Sequence, residues 1–160
     1  MEVNFYHLTR QPLPLAASRL VGLARSRGMK VAVACETIEF LQDLSEALWK
    51  HTQDYWFLGH CTDASGLSDQ QARLQKIWLT QTNETPNQPE ILLLCENRQL
   101  QGFALNGVQR VLDIFDGKDE LALTQARARF RLARSNGSTV NYYAQKESGS
   151  WYQPKFDKKE

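Results

Sequence analysis

Between Leu123 and Gly137 the chain reads LTQARARFRLARSNG, with four arginines, one phenylalanine and no acid, although the formal net charge of the whole sequence is only +1. Guanidinium groups are planar, permanently charged forks that match carboxylates and phosphates. An aromatic ring set among them adds one of two capacities. It can stack a nucleobase, or it can floor an apolar pocket for a side chain whose carboxylate the arginines hold. The stretch is a candidate anion site, and the residue types alone leave both ligands open.

A helix turns about 100° per residue. On that geometry Arg127, Arg131 and Arg134 share one narrow stripe with Phe130 on its edge, while Leu121, Gln125, Ala128 and Leu132 lie on the other side. The pattern predicts an amphipathic helix from about Lys118 to Ser135, stopped by Asn136-Gly137, with the guanidinium groups and the one aromatic facing outward. Arg129 points away from the stripe and is expected to pair with an acid. Within the helix, no Asp or Glu stands three or four residues on from Arg127, Arg131 or Arg134 to neutralise them.

Other chemistries have no comparable signal. No Gly-x-Gly-x-x-Gly, no Gly-x-x-x-x-Gly-Lys-Ser/Thr and no Gly-x-Ser-x-Gly is present, so no phosphate cradle and no nucleophile elbow are marked. No cofactor is expected. His7, His51 and His60 are scattered without metal-ligand spacing and read as structural histidines. Cys35, Cys61 and Cys95 form an odd set with no Cys-x-x-Cys, as expected of unbridged thiols in a reducing, cytoplasmic compartment. The start of the chain carries no secretory signal pattern, and no stretch reaches the roughly 20 apolar residues of a membrane span.

The elements that must position the arginines alternate in type. VNFYHL reads as a strand and LPLAASRLVGLARSRG as a helix stopped by Gly28. MKVAVAC reads as a strand buried on both faces, and TIEFLQDLSEALWK as a helix capped by Thr37. YWFL, KIWLT and EILLLC are further strands, HCTDASGLSDQQAR and TQTNETPNQP polar loops, and VQRVLDIF is open between strand and helix. After the arginine helix the chain is expected to be extended. Alternating βα units imply an α/β fold, a mostly parallel sheet with helices on both faces. At 160 residues one domain is expected, over 1–152, with 153–160 as a flexible tail.

The order of these pieces resembles the chi subunit of bacterial DNA polymerase III, an accessory protein of its clamp loader. The resemblance rests on FYHL, GMKVAVACE, LSEALWK, YWFLGH, IWL, EILLLC, ARARFRLAR followed by Gly137, and the closing YYAQKESGSW. It implies a small Rossmann-like domain without a nucleotide-binding loop or catalytic residues. It further implies a non-catalytic adaptor that binds the acidic, phenylalanine-ended tail of single-stranded-DNA-binding protein on one face and the psi subunit on another, meeting DNA only indirectly.

By the same resemblance, the tail site comprises Arg127, Phe130, Arg131 and Arg134, with Phe115 and Ile114 as its apolar wall. Phe130 stands where tyrosine is frequent, Arg131 where lysine is common, and Leu123 replaces a lysine. The psi face is expected at Trp49, Trp56, Phe57 and His60, with Gly59 where the family commonly has proline. The alternatives are a direct single-stranded nucleic-acid binder, stacking bases on Phe130, Tyr142, Tyr143 and Trp151, and a small α/β enzyme.

Overall fold

The computed structural model describes residues 1–50 and 60–154. Among these described residues, eight strands form one sheet in the order β3-β4-β2-β5-β6-β1-β7-β8. They are β1 (Glu2–Leu8), β2 (Val31–Ala34), β3 (Cys61–Thr62), β4 (Ile77–Thr80), β5 (Ile91–Leu94), β6 (Arg110–Asp116), β7 (Thr139–Gln145) and β8 (Trp151–Tyr152). All pairings are parallel except that of β7 with β8. The helices are α1 (Leu13–Ser26), α2 (Ile38–Lys50), α3 (Asp69–Arg73) and α4 (Glu120–Ser135). This is the α/β architecture that the alternating pattern predicts.

The central strands are uniformly apolar because both sheet faces are covered. VAVA of β2, IWLT of β4 and ILLL of β5 are buried at every position. On one face, residues of α1 and α2 pack on Val31, Val33, Leu93, Leu112 and Ile114. On the other, Ala72 of α3 and Ala126 of α4 pack with Val3, Phe5, Val111 and Phe115. Successive residues of a strand point to opposite faces, so Ile114 and Phe115 belong to different cores.

Local signals set the boundaries. Thr37 Oγ1 accepts from the Phe40 amide at 3.2 Å, the cap expected for α2. The Glu96 carboxylate adds bonds from the Glu36 and Thr37 amides at 3.0 and 2.9 Å. Gly28 ends α1 with φ +77 and its amide on the Arg25 carbonyl at 2.9 Å, a left-handed stop that glycine adopts without a Cβ penalty.

Several expectations need correction or completion. HCTDASGLSDQQAR is not a plain loop, since it holds β3, a 3-10 turn at Asp63–Ser65, and α3. Its polarity conceals two reciprocal capping boxes, Thr62 with Ser65 and Ser68 with Gln71, which satisfy backbone amides without any apolar period. VQRVLDIF resolves as strand β6, paired with both β1 and β5. The extended C-terminal stretch forms β7 and then turns back as β8. The YWFL segment lies outside the described residues, as does the chain from 155 onward.

Candidate functional site

Helix α4 starts at Asp119, whose carboxylate accepts from the Leu121 and Ala122 amides at 3.0 and 3.2 Å, and Gly137 follows its end with φ +82. Its rotation about its own axis decides which arginines face solvent. Arg129 turns inward, where its Nε donates to Asp113 Oδ2 at 2.6 Å and its Nη2 to Asp113 Oδ1 at 2.9 Å. A third bond runs from Nη1 to Asn97 Oδ1 at 3.3 Å. Burial pushes the Asp113 carboxyl up from its ordinary pKa, while the Arg129 hydrogen bonds and charge pull it back. This bidentate clamp ties the helix to β6, and it is the acid partner expected for Arg129.

With Arg129 inside, Arg127, Arg131 and Arg134 are exposed. None of the three joins an ion pair among the described residues. The expected apolar side of α4 is displaced, however. Leu121 and Leu132 are 65% and 57% exposed, and the buried positions are Ala122, Ala126 and Arg129. Small side chains let the helix approach the sheet closely, and an ion pair takes the place of an apolar residue, so a stripe drawn from large apolar residues falls on the wrong flank. Phe130 is likewise not simply outward. It is half-buried, with its ring 5.3 Å from Phe5 and 6.1 Å from Tyr142.

Phe115 belongs to the same aromatic group, 6.3 Å from Tyr142 and 5.3 Å from His7, but only 2% of it is exposed. Ile114 is fully buried in the opposite core, so the structure does not bring it to the arginines. What accompanies Phe130 at the surface is a pair absent from the expected tail site, His7 and Tyr142, the second named only as a base-stacking candidate, both half-buried. Their Nδ1 and hydroxyl are 2.5 Å apart. Burial and the charge of Arg127 lower the pKa of His7, and Asp116 opposes them. Burial raises that of Tyr142, against Arg127. The only sequence signal for this pair is register: His7 is the penultimate residue of β1, which lies between β6 and β7.

Tyr143 and Trp151, candidates for a stacking surface, are on the other side of the sheet. Both contact Tyr6, at 5.1 and 5.0 Å between rings, and Tyr6 and Trp151 pack against the core beneath α1. A continuous base-stacking track with Phe130 is therefore not assembled.

At the far end of α2, Trp49 is 49% exposed and its ring lies 5.1 Å from that of His60. His60 Nε2 is 2.6 Å from Ser45 Oγ. Trp56 and Phe57 lie outside the described residues. Cys35 and Cys95, at the ends of the adjacent strands β2 and β5, are buried free thiols. Burial pushes the Cys35 thiol up to about 12, which keeps it protonated and a poor nucleophile. Among the described residues no three His, Cys, Asp or Glu side chains gather as a metal site, and no helix is long and apolar enough to cross a membrane.

No curated protein matches the chain. The family model for the DNA polymerase III chi subunit, HolC, matches residues 1–141, from β1 through α4 into β7. With a match over most of its length, the chain belongs to the family of the DNA polymerase III chi subunit, an accessory subunit of that polymerase.

Proposed function

We propose that this chain is a non-catalytic replication adaptor that binds the acidic C-terminal tail of single-stranded-DNA-binding protein on α4 and links it, through psi, to the clamp loader. The observation that carries the reading is the row Arg127, Arg131 and Arg134, exposed and without ion pairs among the described residues, beside the aromatic group of Phe130, Tyr142 and His7. Unneutralised guanidinium groups grip a peptide carboxylate and Asp side chains, and adjacent rings receive an apolar terminal side chain. Trp49, half-exposed beside His60, supports a second interface in the helical layer on the other face of the sheet, since exposed tryptophans are frequent interface anchors.

Fluorescence anisotropy tests the reading with a labelled peptide ending Asp-Asp-Asp-Ile-Pro-Phe, the same peptide without its last residue, and a single-stranded oligonucleotide. The full peptide should bind and the truncated one should not. Tight binding to the oligonucleotide with a strong salt slope, and indifference to the peptide, would replace the adaptor with a nucleic-acid binder. For the psi face, Trp49→Ala should weaken psi binding while sparing the peptide.

A further inference from the structure

The pair His7 and Tyr142 supplies what a buried Phe115 cannot, a surface for the ligand to touch. His7 is held from both sides: its ring lies 5.3 Å from Phe115 of β6 and 5.9 Å, edge to face, from Tyr142 of β7. It also sits on Gly117, where a Cβ would fall 1.8 Å from His7 Nε2, so a glycine there is what admits the ring. Arg127 of α4 and Asp116 at the end of β6 are the charged groups acting on His7. Arg127 and the phenol of Tyr152 on β8 act on Tyr142. Tyr142 directly follows the last residue of the family match.

A phenol bonded to an imidazole can place its hydrogen in two ways. With His7 neutral and its hydrogen on Nε2, the Tyr142 hydroxyl donates to Nδ1 and offers only lone pairs to a ligand. When Nδ1 takes a proton from solvent, the imidazolium donates to the phenol oxygen instead. The hydroxyl hydrogen is then released towards an outside acceptor, and no heavy-atom bond changes. Burial and, after it, the charge of Arg127 lower the pKa of His7; a carboxylate docked at Arg127 would cancel part of that second contribution, so docking and protonation favour each other.

We propose that His7 and Tyr142 are ligand-positioning residues of the acidic-peptide site, the Tyr142 hydroxyl donating to a carboxylate gripped by Arg127 once His7 has taken up a proton. The inference rests on the peptide reading of α4 given above. It makes binding of the acidic tail a proton-coupled event, stronger as pH falls through the titration of His7.

The test is calorimetry of the full chain with the same peptide between pH 5.5 and 8.5, a range above the ordinary carboxylate pKa values of the peptide. Wild type should bind about three- to tenfold more tightly at pH 6 than at pH 8, with proton uptake visible as a dependence of the heat on buffer ionisation enthalpy. His7→Gln, which keeps a hydrogen-bonding side chain but cannot gain the charge, should lose this slope. Tyr142→Phe should bind about threefold more weakly at pH 6, with a shallower slope. An NMR titration of His7 in the wild type needs no variant: its pKa must rise when the peptide binds. An unchanged His7 pKa, or a His7→Gln protein that keeps the wild-type slope, overturns the proton coupling while leaving the peptide reading intact. Failure of the wild type to bind the peptide at any pH overturns both.

Discussion

Arg129 and Arg127 stand two residues apart on one helix and are put to opposite uses. Arg129 is buried, locked by two bonds to Asp113 and a third to Asn97. Arg127 is exposed and takes no ion pair among the described residues, yet its charge reaches His7 and Tyr142. The first arginine spends its donors on the fold, and the second keeps them for a ligand. A buried ion pair adds little net stability but is costly to break, because the surviving partner is left charged and dry. An exposed arginine costs little to keep or to lose. The lesson is that the clamp at Arg129 sets the rotation of α4, and that rotation exposes the ridge.

The largest expected effect breaks the buried half of this contrast. Arg129→Ala strands the Asp113 carboxylate and should cost about 3–5 kcal/mol in denaturant unfolding. A double change to apolar residues, Arg129→Met with Asp113→Leu, should recover much of that loss. If Arg129→Ala instead unfolds with the wild-type midpoint, the clamp does not hold the helix.

Arg127→Ala sharpens the other half. Its unfolding free energy should stay within about 0.5 kcal/mol of wild type, while peptide affinity drops about tenfold or more, the loss of a charge-assisted bond worth roughly 1.5–3 kcal/mol. A stability loss as large as that of Arg129→Ala would erase the distinction between the two residues.

Further along the ridge the effects shrink. Arg131→Ala and Arg134→Ala should each weaken peptide binding by only about 0.2–1 kcal/mol, as exposed charges do, and the difference should fade in high salt. Losses that persist at high salt would mean that these two arginines make desolvated contacts.

The smallest effect concerns stability against pH. Because the His7 pKa is lowered in the folded protein, the unfolded chain binds more protons between that value and the ordinary 6.5. Stability should therefore fall slightly as pH falls through this window. Melting at pH 7.5 and 5.5 should show a smaller drop for His7→Gln than for wild type, and an equal drop would assign the acid sensitivity to other groups.

Much of this molecule was legible in its residue order. The apolar run around Val31 read as a strand covered on both faces, those around Ile77 and Ile91 read as strands, and Thr37, Gly28 and Gly137 marked helix ends through local backbone chemistry. The exposed row Arg127, Arg131 and Arg134 followed from helical spacing and from the absence of nearby acids. These are short-range properties, determined within a turn or two of chain. Other features hang on contacts between residues more than a hundred positions apart. His7 meets Tyr142 only because β1 is inserted between β6 and β7. Ile114 parts from Phe115 only because the sheet has a helical layer on each side. The burial of α4 through Ala122, Ala126 and Arg129 rather than through its leucines was equally hidden. A period of large apolar residues does not register a helix that approaches on alanines and is pinned by an ion pair to the strand before it, and tertiary packing overrides the pattern there.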